Sequence, residues 1–211
     1  MTESWADARF EANNLELWRG ERRLFTRLEF ATGSGELLHI TGANGTGKTS
    51  LLRVICGLTL PETGEVRWRG RPVGRQRSDF HAELTYVGHR ESLKADLSAV
   101  ENLSFELGLR RGLANEEMQT ALDVVGLSRA THVPVRSLSA GQKRRVALAR
   151  CLLTRAPLWI LDEPYTNLDV AGRELVDHLM TQHLETGGQV LLVAHQNHGV
   201  QRPGTRTLEM A

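Results

Sequence analysis

Apolar and polar positions alternate over two early stretches, residues 10–17 and 24–30, and this period of two predicts a pair of strands. An apolar run at 36–40 leads straight into a glycine-rich loop. Residues 49–57 then follow helical spacing, with Leu51, Leu52, Val54 and Ile55 on or near one face and Gly57 as the stop signal. Residues 64–68 and 84–87 read as further strands. From about 100 to 125 the period is helical, interrupted at Gly108 and Gly112. Helices are also predicted over 142–153 and 170–183. The unbroken apolar runs at 158–161 and 190–194 have the length of buried strands. They fall well short of the roughly 20 residues that span a bilayer. Strands separated by helices predict an α/β fold built on a mainly parallel, helix-flanked sheet. The alternating N-terminal strands predict an antiparallel β lobe beside it.

Composition narrows the function classes. The 211 residues suit one domain, or one domain with an embedded subdomain. The 26 Lys+Arg nearly balance 25 Asp+Glu, a net charge of +1 that points to neither nucleic acid nor an anionic membrane surface. The basic groups at 19–23 and 67–77 sit among acidic and apolar residues and read as solvated surface. Cys56 and Cys151 lie in apolar, helix-like stretches, which fits two buried thiols in a reducing cytosol rather than a disulfide or a metal site. Residues 1–14 carry acids and lack an apolar signal core, so the protein is expected to be soluble and cytosolic. Any membrane role then requires a partner. The eight histidines are scattered and do not suggest a haem site.

Gly42-Ala43-Asn44-Gly45-Thr46-Gly47-Lys48-Thr49 fits the P-loop pattern, with a predicted strand before it and a helix after it. Glycines let successive backbone N–H groups converge on phosphate oxygens. The helix that follows points its positive N-terminal end at them, and Ser50, just past the loop, is counted with the ATP-binding residues. Lys48 is placed to reach the β- and γ-phosphates and the Thr49 hydroxyl to ligate Mg²⁺. The implied ligands are ATP and Mg²⁺, and the implied core is a P-loop NTPase (RecA-like) fold. The second signal is Leu158-Trp159-Ile160-Leu161-Asp162-Glu163, an apolar run ending in two carboxylates where a buried strand opens into a site. Asp162 is expected to act on Mg²⁺ and Glu163 to polarise the attacking water. Leu138-Ser139-Ala140-Gly141-Gln142 opens a helix, and its Ser and Gly present an anion-binding end. Taken alone, an ordinary helix N-cap is the plainer reading of those residues.

Together these motifs resemble the ABC ATPase family, and the resemblance covers nearly the whole chain. The family signature is usually LSGGQ, and here Ala140 replaces the third residue while Ser139, Gly141 and Gln142 stand at the expected positions. The resemblance implies that Asp169, in Asn167-Leu168-Asp169, belongs to the D-loop, and that His195 is the switch histidine that contacts the γ-phosphate. It offers Trp18 as the aromatic that stacks on adenine, with an ordinary core or surface aromatic as the alternative. It implies a helical subdomain inserted at about 90–137. One departure is His89, which stands where the family usually carries the Gln of the loop joining core to helical lobe. An imidazole lacks the amide's carbonyl, and Mg²⁺ prefers oxygen, so direct ligation by His89 is disfavoured.

The variants at 88–89 and 139–142, the stretch 159–169 and His195-Gln196 together resemble one branch, the haem-exporter ATP-binding subunit of bacterial cytochrome c maturation. That resemblance implies an ATP hydrolase coupled to transport. It would lie peripherally on the cytoplasmic face of the inner membrane and dimerise head-to-tail on ATP. Its partners would be separate integral membrane subunits, and no nucleic acid. Each site would combine residues 42–50, Asp162, Glu163 and His195 of one chain with Ser139 and Gly141 of the other. The alternatives are a cassette of another small-molecule transporter and a non-transport ABC ATPase. The coiled-coil insertions or zinc modules usual in the latter have no counterpart in this chain.

Overall fold

The computed structural model describes residues 5, 8–107, 112, 114–194 and 204–211. In chain order they form β1 (Phe10–Arg19), β2 (Arg22–Thr32), β3 (Leu37–Gly42), α1 (Lys48–Ile55), β4 (Thr63–Trp68), β5 (Arg71–Pro72), α2 (Arg77–Ala82) and β6 (Leu84–Val87). There follow α3 (Ala99–Leu107), α4 (Asn115–Val124), α5 (Ala140–Thr154), β7 (Leu158–Asp162), α6 (Val170–Glu185), β8 (Gln189–Val193) and β9 (Thr205–Met210).

Two sheets form. One is antiparallel, in the order β2-β1-β4-β5; the other has the order β6-β7-β8-β3-β9 and is parallel throughout. The helical reading over 100–125 resolves into α3 and α4. β9 is an addition to the sequence reading. It pairs with the whole of β3, from Leu37↔Thr205 to Gly42↔Met210, and so supports the strand that leads into the P-loop.

The central strands β7 and β8 are buried at every position, which explains why they are unbroken apolar runs rather than alternating ones. On β7, Trp159 and Leu161 pack with Val146, Leu148, Val176 and Leu179 of α5 and α6. Leu158 and Ile160 face the other way, into a core shared with Leu51, Leu52 and Ile55 of α1 and with Phe10, Phe30 and Trp68 of the antiparallel sheet. The period-two geometry of a strand makes this division automatic. Cys56 and Cys151 are both buried and free. No helix among the described residues is long and apolar enough to cross a membrane.

Candidate nucleotide site

The carboxyl ends of β3, β8 and β7 open onto one side of the parallel sheet, where ligands of open α/β folds bind. The loop from β3 to α1 lies there. Its glycines are needed for their backbone: Gly42, Gly45 and Gly47 take φ of 142°, 84° and 99°, a region that side chains disfavour. A Cβ on Gly42 would also run into the carbonyl of Met210 on β9, so the loop and its supporting strand approach too closely for any other residue. Gly47 is the N-cap of α1 and supplies no side-chain cap. The first N–H groups of that helix therefore have neither an intrahelical acceptor nor a capping oxygen, and they form an anion-binding end.

Lys48 is buried and folds its ammonium back over the loop, donating to the carbonyls of Gly42 at 2.7 Å and Ala43 at 2.9 Å. A cavity of about 420 Å³ is lined by Asn44, Gly45, Gly47, Lys48, Thr49 and Ser50 of the loop and α1. Asp162, Glu163, His89 and Val193 of the parallel-sheet side and Arg19 and Leu24 of the β1–β2 hairpin complete the lining. Two sequence signals more than a hundred residues apart thus meet in one space.

Asp162 is 3% exposed. Burial raises its carboxyl above the ordinary range, against the opposing pull of His89, of the Arg144 guanidinium and of the Tyr86 hydroxyl 3.5 Å away. Glu163 sits just past the strand with φ of 53°, a left-handed conformation that costs a non-glycine residue about 1–3 kcal/mol and is concentrated at functional sites. Its N–H donates to the carbonyl of Val193 at the end of β8, 2.8 Å away, which locks the turn against the neighbouring strand. His195 lies outside the described residues.

Ser139, Gly141 and Gln142 are not brought to this cavity in the same chain. Ser139 N-caps α5: its Oγ accepts from the Gln142 N–H at 3.1 Å, and Gln142 Oε1 accepts from the Ser139 N–H at 2.9 Å. This reciprocal pair is a capping box, so the plainer sequence reading is present whatever else the serine does. Gly141 lies so close to the carbonyl of Asn167 that an added Cβ would approach it to 2.7 Å. Asp169 N-caps α6 through the Gly172 N–H at 2.8 Å and pairs with Arg145 of α5 at 3.2 Å. The start of α5 and residues 167–169 are therefore packed and bonded to each other. Trp18 does not line the cavity. It is 42% exposed, donates to Glu16 at 2.8 Å and carries the Arg23 guanidinium 5.7 Å from its ring.

Arg144 escaped the sequence reading. It lies in the run Lys143-Arg144-Arg145, which looks like an ordinary exposed helix start. In the fold it is 1% exposed and donates to the carbonyls of Gly88 at 2.6 Å, Asp162 at 2.7 Å and Pro164 at 3.2 Å. Successive side chains on the helix point about 100° apart, and the packing of α5 turns Arg144 inward.

The family model described as ABC transporter matches residues 25–166. This chain belongs to the ABC transporter family. Within it, the chain is 50% identical over 191 residues to the cytochrome c biogenesis ATP-binding export protein CcmA of Methylococcus capsulatus, covering 90% of this chain and 92% of that one. It is 45% identical over 200 residues to the CcmA of Escherichia coli K12, covering 95% of each. It therefore also belongs to the CcmA group. Among solved structures, a dimeric post-hydrolysis state of the ATP-binding cassette MJ0796 bound to ADP and Pi superposes with a TM-score of 0.78 at 25% identity, over 89% of this chain and 88% of that one. The ATP-binding subunit of another ABC transporter superposes with a TM-score of 0.80 at 24% identity, over 88% of this chain and 79% of that one, and shares the fold.

Proposed function

We propose that the chain is the ATP-binding and hydrolysing subunit of a membrane ABC complex that handles or exports haem in cytochrome c biogenesis. The observation that carries the ATPase reading is the single cavity shared by residues 42–50 with Asp162 and Glu163. The role of the CcmA relatives in cytochrome c biogenesis supports the rest.

In this reading the amides of the P-loop and the first turn of α1 hold the phosphates of ATP, and Lys48 supplies the point countercharge. Mg²⁺, when bound, would supply the positive charge that offsets charge developing on the phosphates. It commonly takes only one or two protein oxygens alongside substrate phosphates. The Thr49 hydroxyl and the Asp162 carboxylate line one cavity and fit that demand. The nitrogen of His89 does not suit magnesium, and His89 acts as a hydrogen-bonding neighbour of Asp162. Glu163 orients and polarises the attacking water, and His195 contacts the γ-phosphate. Positioning and charge stabilisation together account for the catalysis.

Ser139 is exposed and, with Gly141, lies away from the nucleotide cavity of its own chain. These residues reach a nucleotide only across a head-to-tail dimer, in which ATP bridges two chains. Asp169 sits beside that contact, tied to α5 by Arg145. α3 and α4 belong to the helical lobe, and that lobe and the His89 loop pass the motion to integral membrane subunits. The chain is then a peripheral protein of the cytoplasmic face of the inner membrane.

The test is complementation in a bacterium that lacks its own CcmA. The wild-type chain is expected to restore haem-stained c-type cytochromes, and Glu163→Gln is expected not to. Equal restoration by both sinks the need for hydrolysis. A stable, ATP-hydrolysing wild-type chain that restores nothing sinks the cytochrome role and leaves a transporter of another small molecule.

A further inference from the structure

Part of the cavity wall is made by the hairpin between β1 and β2, and the pleat decides which side chains reach it. Trp18 stands directly opposite Arg23, and Arg19 directly opposite Arg22. Residues opposed in an antiparallel pair share a face, and neighbours along a strand take opposite faces. Trp18 and Arg23 therefore share the face away from the cavity, where their ring and guanidinium meet at 5.7 Å. Arg19 takes the other face and lines the cavity.

Leu24 reaches the same space by a different device. The register runs from Leu17↔Phe25 to Trp18↔Arg23, so Leu24 is an extra residue without a partner on β1. Such a bulge re-aims a side chain. Here it brings Leu24 against the P-loop, where a Cβ on Gly47 would come within 3.2 Å of the Leu24 Cβ. The Arg19 side chain is exposed and makes no hydrogen bond or ion pair with a described residue, so its planar head is available to a ligand.

Resting on the nucleotide-binding reading above, we propose that Arg19 and Leu24, not Trp18, receive the base of the bound nucleotide. Residues 44–50 of the loop and α1 take the phosphates and Asp162 and Glu163 the reacting atoms, which leaves the hairpin side chains among the lining residues for the nucleoside. A guanidinium is planar, weakly hydrated and stacks on aromatic faces, so Arg19 does for the base what an aromatic ring would do. Leu24 adds an apolar flank.

The experiment measures binding of ATP and of inorganic tripolyphosphate, both with Mg²⁺, to the full chain and four variants. Tripolyphosphate carries the phosphate charge and no base. Arg19→Ala is expected to weaken ATP by about tenfold, the size of a partly desolvated cation–π contact, and to leave tripolyphosphate unchanged. Arg19→Tyr supplies a stacking face without charge and is expected to recover most of the ATP affinity. Trp18→Ala should bind both probes like wild type, and Lys48→Ala should lose both. Equal weakening of both probes by Arg19→Ala would mean that the arginine acts on phosphate charge alone, which overturns the proposal. So would an Arg19→Tyr chain as weak as Arg19→Ala, or a loss of ATP affinity that follows Trp18. A wild-type chain that binds neither probe sinks the nucleotide reading itself. A wild type that binds both, with Arg19→Ala unaffected, sinks only the role of Arg19.

Discussion

Arg144 Nη2 donates to the main-chain carbonyl of Asp162 at 2.7 Å from a position where only 1% of the residue is exposed. The same guanidinium reaches Gly88 and Pro164, so one side chain of α5 ties the helix that Ser139 caps to the residue before His89 and to the end of β7. Burial pushes its pKa below the usual arginine value. Three carbonyl dipoles hold the buried charge in place.

Arg144→Lys is expected to lower stability by about 1–3 kcal/mol, because a compact ammonium cannot span three carbonyls and hydrogen bonds to charged groups are worth that much. Turnover should fall more than ATP affinity, since the bonds position Asp162, Glu163 and the His89 loop rather than the P-loop. Thermal unfolding and a kcat against KM comparison check this. A variant with wild-type melting and turnover would count against the tie.

Lys48→Ala should abolish ATP binding and turnover. The ammonium is the only lysine charge lining the cavity among the described residues, and the loop carbonyls already hold it in place. Nucleotide affinity and ATPase rate near wild type would sink the P-loop assignment.

Glu163→Gln keeps the shape of the side chain and removes the charge that orients water. ATP should still bind, and hydrolysis should slow by about 10²–10⁴-fold, the usual contribution of a positioned acid–base group. If ATP bridges two chains, the arrested protein should elute as a dimer with ATP and Mg²⁺ on size exclusion. Asp162→Asn should instead lose Mg²⁺-dependent binding as well as turnover. Wild-type phosphate release by Glu163→Gln would refute its role.

Mixing two inactive chains tests the composite site. Ser139→Arg damages the signature half and Lys48→Ala the nucleotide half. Their mixed dimer contains one intact site and should show ATP-dependent association that neither variant shows alone. Unchanged ATP-driven dimerisation of Ser139→Arg by itself would rule out the bridging role. Ser139→Ala separates the capping function, which should cost about 1 kcal/mol of stability.

His183 predicts an acid limit to stability. Its ring lies flat on Trp159, centroids 3.9 Å apart and planes within 6°, and burial holds its pKa down at about 4 against an ordinary 6.5. The unfolded chain takes up a proton below pH 6.5 that the folded chain refuses until about pH 4. The contribution is therefore complete above pH 6.5 and is lost as pH falls toward 4, by about 3 kcal/mol in all. Denaturant unfolding at a series of pH values should show this slope for wild type and a shallower one for His183→Phe. Identical slopes would refute the assignment.

The P-loop could be read without a structure because phosphate is held by the backbone of one contiguous loop, so residues 42–49 carry their whole geometry in their spacing. The central strands β7 and β8 were legible for a similar reason: burial on both faces makes each an apolar run. Arg144 was not legible, because Lys143, Arg144 and Arg145 are equivalent until α5 packs and one of them turns inward. Nor was the exchange of Trp18 for Arg19 at the cavity. A bulge at Leu24 and the pairing of β1 with β2 set which neighbour faces the P-loop, and a one-residue change of face reverses the answer. β9 had only weak alternation of its own, and its role rests on pairing with β3 from the far end of the chain. Local backbone geometry makes periods and loops readable in sequence. Which side chain of a helix or strand enters a site depends on long-range packing, and only the assembled fold contains that.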